Sequence, residues 1–397
     1  MKNATLARWM ATVEGRLGPL AAVADDFTAL TGVPVELGPT LFERALAAGF
    51  RLPGGVSAGG SCHLLATSDG RAAVNLARPD DHAALPALLG LLGAPRADLR
   101  TAARGTSAAE LVASAQTLGI AAAELGADRG ERPPVRADRY GPDRPRDLVG
   151  LRVVDLSALW AGPLCARLLG MAGARVVKVE SASRPDGARF GPPDFYRLLH
   201  QGHESLVLDF ASGALAEVIA QADLVIEASR PRALRRLGVR AEEFLAGRPG
   251  RVWVSITGYG RDDDRIAFGD DAAVSGGLTG LDRHGDPVFL GDALGDPVTG
   301  VYAAHAAARS LERGGGELLS VSMSACTAAQ VHASAVTGAA DPEAAWGADS
   351  AVTRAADREP ARGQDPAVTG AAVSAVTKAA APAPAGAAQR SAPAATC

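Results

Sequence analysis

Between residues 149 and 330, short apolar runs alternate with stretches of helical period. Residues 151–156, 175–179, 205–208, 224–227 and 252–256 read as strands, because each is a β-rich run with almost no polar interruption. Gly162-Pro163 opens a helix after the first run, with proline tolerated in its first turn, and residues 213–220 read as a second helix. Residues 301–311 read as an apolar helix behind a glycine-rich, acidic turn. Fully apolar strands separated by helices predict a parallel sheet covered on both faces, hence a doubly wound α/β fold with its ligand at the carboxyl ends of the strands.

Upstream the pattern changes. Residues 62–66 and 72–76 read as a hairpin around Ser68-Asp69-Gly70, and helical patterns follow at 81–91 and 108–125. Arg, Asp, Pro and Gly crowd residues 128–148, as in an exposed linker, which divides a first folded part (1–127) from the second (149–330). From about residue 331 large side chains nearly vanish and Ala-Val-Thr recurs, so 331–397 reads as a low-complexity tail, expected to be disordered.

Composition narrows the function. Of the 397 residues 47% are hydrophobic and 21% charged, the balance of a globular chain. A net charge of -4 supplies no broad basic field, so nucleic acid and anionic membrane are not expected partners. Cys62, Cys165, Cys326 and Cys397 lack metal-ligand spacing, so no metal site is expected. Residues 1–24 lack the unbroken apolar core of a signal peptide and no run reaches membrane-spanning length, so a cytoplasmic protein is expected.

The first βα turn, Ser157-Ala158-Leu159-Trp160-Ala161-Gly162-Pro163, matches neither the dinucleotide fingerprint nor a Walker loop, which disfavours a nicotinamide or ATP enzyme. No Gly-x-Ser-x-Gly elbow is present in this part, which disfavours a hydrolase. The candidate for chemistry is Asp296, in Gly295-Asp296-Pro297-Val298-Thr299-Gly300 at a helix entrance. A carboxylate there sits among free backbone N–H groups, as a simple helix cap or as a reactive group.

Several segments in order resemble family III CoA-transferases, the CaiB/BaiF group. They are Gly150-Leu151-Arg152-Val153-Val154-Asp155-Leu156-Ser157 with Ala161-Gly162-Pro163, then Gly173-Ala174-Arg175-Val176-Val177-Lys178-Val179-Glu180, then residues 205–209. Arg236-Leu237-Gly238, the Ser-Ile-Thr-Gly-Tyr-Gly run at 255–260, and Gly295-Asp296 with Thr299-Gly300 complete the series. The resemblance implies a Rossmann-like large domain, a smaller α+β domain and an interlocked homodimer. It implies transfer of CoA from an acyl-CoA donor to a carboxylic acid acceptor, with CoA as substrate and no tightly bound cofactor. Asp296 would be the covalent nucleophile, Leu159, Trp160 and Ala161 would lie beside CoA, and Arg236 would meet its phosphates. The residues alone leave Trp160 open as a core aromatic and Arg236 open as part of a solvated basic helix face.

The chain departs from the family pattern in places. His203-Glu204 stands where Lys-Arg is common, and Ala228-Ser229 where Asn-Phe is common. The hairpin and its helices resemble the family's small domain, yet precede the large one. Gly314-Gly315-Gly316 is the available trace of the family's glycine-rich loop. Two other functions therefore stand beside the transferase: a catalytically silent acyl-CoA-binding paralogue or partner subunit, and a 2-methylacyl-CoA racemase. The second would need a Gly-His-Asp segment where this chain has Gly269-Asp270-Asp271, and His284 reads as a turn residue.

Overall fold

A computed structural model describes residues 2–50 and 54–337. The chain begins with α1 (Lys2–Gly15), α2 (Gly18–Thr31) and α3 (Leu37–Ala48). Next come β1 (Cys62–Ala66), β2 (Arg71–Asn75), α4 (Pro79–Leu91), α5 (Leu99–Arg104), α6 (Ala108–Thr117) and β3 (Ala121–Glu124). An edge strand β4 (Val135–Arg139) precedes β5 (Arg152–Asp155), α7 (Ala161–Met171), β6 (Arg175–Ser181), α8 (Pro193–His200), β7 (Glu204–Leu208), α9 (Ala214–Ala220) and β8 (Leu224–Glu227). Then follow α10 (Pro231–Arg236), α11 (Ala241–Ala246), β9 (Val252–Thr257), α12 (Gly269–Ser275), β10 (Thr279–Leu281), β11 (Pro287–Phe289), α13 (Gly295–Glu312), β12 (Glu317–Ser322) and α14 (Met323–Thr337).

Among the described residues the main sheet runs β4-β12-β9-β8-β5-β6-β7, parallel except for the antiparallel pair β12/β4. From β7 to β12 this is the doubly wound order 3-2-1-4-5-6, whose direction of winding reverses between β5 and β8. The apolar runs are continuous because successive side chains enter two different cores. Val153, Val176, Ile226 and Val254 pack on one face with α7 and α13, whereas Val154, Val177, Val225 and Trp253 pack on the other with α9 and α11. Leu20, Phe27, Leu41 and Phe42 of α2 and α3 belong to the first of these cores.

The hairpin β1/β2 forms in the expected place and gains β3 as a third antiparallel strand. The helix expected over 108–125 stops at Thr117, because Gly119 takes a left-handed φ of 76° and the Gly119 and Ile120 N–H groups close its last carbonyls, after which Ala121–Glu124 pairs with β2. One face of this small sheet is covered by α4–α6, and the other packs Cys62, Leu64 and Ala73 on Val274 of α12 and Phe289 of β11. The segment 128–148, read as linker, carries β4, whose side chains are mostly exposed. Gly314–Gly316 is the connection from α13 to β12. The tail reading of 331–397 overlaps α14 as far as Thr337, and its remainder, 338–397, lies outside the described residues. No helix among the described residues is long and apolar enough to cross a membrane.

Candidate active site

Asp296 lies in the first turn of α13, which begins six residues earlier than the apolar pattern indicated. Gly295, Pro297 and Gly300 read as breakers, but proline at the third helical position has no N–H bond to lose. The N-cap is Leu294 and no side chain caps the helix, so Asp296 is not a capping residue. Nor is it surrounded by free donors of its own helix. Its N–H bonds the Ala293 carbonyl at 2.8 Å, Pro297 has none, and the Val298 N–H bonds the Leu294 carbonyl at 3.2 Å.

What surrounds the Asp296 carboxylate comes from α12, α3 and the turn 291–294. The residue is 9% exposed. Burial pushes its pKa up to about 7; Arg44 opposes the shift, Asp270 and Asp292 reinforce it, and a hydrogen bond from the Gly269 backbone opposes it again. Asp270 is pushed to about 6 by burial and by Asp292, while it accepts the Ala293 N–H at 2.8 Å. Asp271 is pushed to about 7 by burial, although Asn75 Nδ2 at 2.9 Å and the Phe268 N–H at 3.0 Å donate to it. Burial thus raises Asp270 and Asp271 as well as Asp296, a kind of perturbation that clusters at functional sites.

Arg44 on α3 balances this negative charge. Its Nε donates to Asp292 Oδ2 at 2.6 Å and its Nη2 to Oδ1, a bidentate fork onto a fully buried carboxylate. The guanidinium also lies 5.5 Å from the Trp160 ring centre. Burial works against its charge, but the Asp292 hydrogen bonds and the nearby Asp270 and Asp296 carboxylates outweigh it and raise its pKa.

Two glycines permit this crowding. A Cβ on Gly269 would fall 2.5 Å from Asp296 Oδ2, and one on Gly295 would fall 2.5 Å from the Gly269 carbonyl oxygen. Ala293, which precedes the N-cap Leu294, holds a left-handed φ of 47° while its N–H donates to Asp270.

The other residues singled out from sequence fall into two places. Leu159, Trp160 and Ala161 follow β5 and open α7, which packs against α13; a Cβ on Gly300 would lie 2.8 Å from the Ala161 carbonyl oxygen. The Trp160 side chain is 1% exposed, donates from Nε1 to Glu43 at 3.2 Å and meets the Phe195 ring edge-on. It is therefore a core aromatic, and Leu159 is half-buried beside it. Arg236 ends α10 beyond β8, the strand next to β5; it is exposed and has no hydrogen bond or ion pair among the described residues.

Of the departures, Glu204 is exposed on the edge strand β7, His203 packs near Gly170, and Ser229 lies 3.5 Å from Glu227. His284 sits in the β10–β11 turn, as expected. Sequence reasoning missed Arg44, which nothing local distinguishes, and valued Asp270 and Asp271 only for the histidine they replace.

Comparison with known proteins places the chain in a family. The family model described as CoA-transferase family III matches residues 148–362, more than half of the chain. The succinyl-CoA–D-citramalate CoA-transferase of Chloroflexus aurantiacus is 29% identical over 40% of this chain and 44% of its own length. The succinyl-CoA–L-malate CoA-transferase beta subunit of the same organism is 35% identical over 39% of this chain and 42% of its own. A crystal structure of a CaiB/BaiF family protein from Brucella suis aligns with a TM-score of 0.43 and 27% identity over 50% of this chain and 60% of that one. The chain thus spans less than half the length of these curated relatives. The match of the family model and the order of motifs around Asp296 identify the chain as a member of CoA-transferase family III.

Proposed function

We propose that this chain transfers CoA from an acyl-CoA donor to a carboxylic acid acceptor, with Asp296 as the covalent nucleophile. The observation that carries the reading is the Asp296 carboxylate: desolvated in the first turn of α13, faced by Arg44 and uninvolved in capping. Structural aspartates pair or cap; one held close to neutrality on the pH scale is suited to accept and release a bond at carbon.

In the first step an Asp296 oxygen attacks the thioester carbonyl, the C–S bond breaks, and an acyl–aspartyl anhydride and CoA thiolate result. The thiolate then attacks the aspartyl carbonyl, releasing the donor as a free carboxylate and leaving an aspartyl-CoA thioester. An acceptor carboxylate attacks that thioester, again expelling thiolate, and the thiolate takes the acceptor's acyl group and restores Asp296. No proton or electron is gained or lost over the cycle. Arg44 stabilises the ionised form of Asp296 between steps.

CoA would lie along residues 159–161 at the carboxyl end of β5, with Arg236 at the end of the neighbouring β8–α10 connection toward its phosphates. Since the Trp160 ring is buried, its contribution is the shape of the loop rather than stacking. The relatives named for succinyl-CoA, citramalate and malate favour small carboxylic acids as acceptors. A cytoplasmic homodimer without a tightly bound cofactor completes the proposal; buried free thiols at Cys62, Cys165 and Cys326 suit a reducing compartment.

The test is chemical trapping. The chain is incubated with succinyl-CoA and a panel of other thioesters, quenched and weighed, with Asp296→Ala alongside. A CoA or acyl adduct on the Asp296 peptide, absent from the variant, is expected. Measurable CoA binding without an adduct from any thioester would instead favour the silent paralogue, which the His203-Glu204 and Ala228-Ser229 substitutions make the second reading.

A further inference from the structure

Outside the acid cluster, a second buried polar group lies at the carboxyl ends of β5 and β6. Lys178 is 1% exposed. Its Nζ lies 2.9 Å from Asp186 Oδ2 and 3.6 Å from Asp155 Oδ2, and it donates to the Ser157 carbonyl. Asp186 Oδ1 accepts the Leu159 N–H and the Ala188 N–H, each at 2.9 Å, while the Asp186 N–H donates to Glu180 at 2.8 Å. Asp155 Oδ1 accepts both the Ser157 N–H at 2.9 Å and its hydroxyl.

Lys178, Asp186 and Asp155 each make contacts within the turn 155–160, and one residue of that turn explains why so much buried charge is committed to it. Leu159 holds φ at 70°, a region an L-residue with a branched chain enters only against steric resistance. Its side chain is also confined, since a Cβ on Gly187 would fall 2.9 Å from Leu159 Cδ2. None of these bonds involves Asp296 or Arg44.

We propose that the buried Lys178–Asp186 pair is a latch that holds the Ser157–Trp160 turn in its left-handed form and thereby sets the affinity for CoA. The inference rests on reading Leu159, Trp160 and Ala161 as the CoA-bearing segment. Lys178 and Asp186 are positioning residues: they touch the loop and not the ligand. Their loss weakens binding of CoA while the step at Asp296, once CoA is bound, keeps its rate.

The test uses calorimetry with free CoA and the rate of adduct formation at saturating succinyl-CoA. Asp186→Asn and Lys178→Met should each raise the Kd for CoA about tenfold or more, the scale of one lost charge-assisted hydrogen bond, with the saturating rate within about twofold of wild type. Adding Leu159→Gly to Asp186→Asn should recover most of that affinity, because glycine enters the left-handed region without resistance. Melting temperatures of the same variants separate recovered affinity from recovered stability, because glycine at this φ also relieves strain in the folded chain.

Should the buried variants fail to fold, exposed Gly187→Ala presses on Leu159 without removing the pair, and a Kd raised a few-fold is expected. Unchanged affinity in every folded variant, or a saturating rate that falls as far as affinity does, overturns the latch. A wild-type chain that binds no CoA overturns the CoA reading together with it.

Discussion

Replacing Arg44 by methionine tests the electrostatics of the acid cluster directly. The substitution keeps most of the aliphatic volume but leaves Asp292 buried without its partner, and it withdraws the one charge that opposes the shifts of Asp270 and Asp296. Stranding one member of a buried pair costs about 3–5 kcal/mol. The Arg44 side chain retains 26% of its exposure, so water relieves part of the penalty and about 3 kcal/mol is the working figure.

At about 2 °C per kcal/mol for a protein of this size, the melting temperature should fall by about 6 °C. The adduct-forming rate should also shift its pH midpoint upward, because Asp296 loses a neighbour that favours its charged form. Thermal unfolding followed by circular dichroism reads the first effect and rapid-quench mass spectrometry across pH 5–9 the second. The double variant Arg44→Met/Asp292→Asn should regain up to about 2 kcal/mol, since an unpaired amide costs about 1–3 kcal/mol against about 3 for the stranded charge. A single variant as stable as wild type with an unmoved pH profile would refute the reasoning, as would a double variant worse than the single.

Further outcomes follow from the same site. Adduct formation should rise through about pH 7 and level off above it, because the reactive form of Asp296 is the carboxylate. Stability should move the opposite way: a carboxyl whose folded pKa is raised stabilises fully below its unfolded value near 4 and loses that contribution as pH climbs through 7. Asp296→Asn should therefore gain more melting temperature over wild type at pH 8 than at pH 5; an equal difference at both would contradict the assignment. Gly269→Ala should cost about 1–3 kcal/mol and abolish the adduct, since its methyl would meet the Asp296 carboxylate and the Ala293 backbone. Gly90→Ala, in the α4 helix with nothing within 4 Å, should be neutral or stabilising by up to about 1 kcal/mol in the same unfolding assay.

Strands β5, β6, β8 and β9 were legible because both faces of the sheet are buried there, which leaves each as a largely apolar run; the edge strand β7 was legible from Leu206-Val207-Leu208, although its side chains are mostly exposed. The strand β12 was not, because Glu317, Ser320 and Ser322 break its run while pairing on both sides buries them anyway. Helices α1–α3 left no distinct signal either; they are defined by packing on the large core as much as by their own periodicity. At the site, Asp296 could be found from the glycines and threonine around it. Its surroundings could not, since Arg44, Asn75 and Asp270 come from segments that only the tertiary fold brings together.

The Arg44–Asp292 contact joins residues 248 positions apart in sequence. A contact of that separation closes only after most of the chain has been brought into register, so the counter-charge arrives late in folding. In the finished site Asp296 and Asp270 still hold protons more tightly than they do in an unfolded chain, so between about pH 4 and 7 folding takes up protons, and mildly acidic conditions should favour the folded state of a protein whose proposed chemistry calls for the opposite.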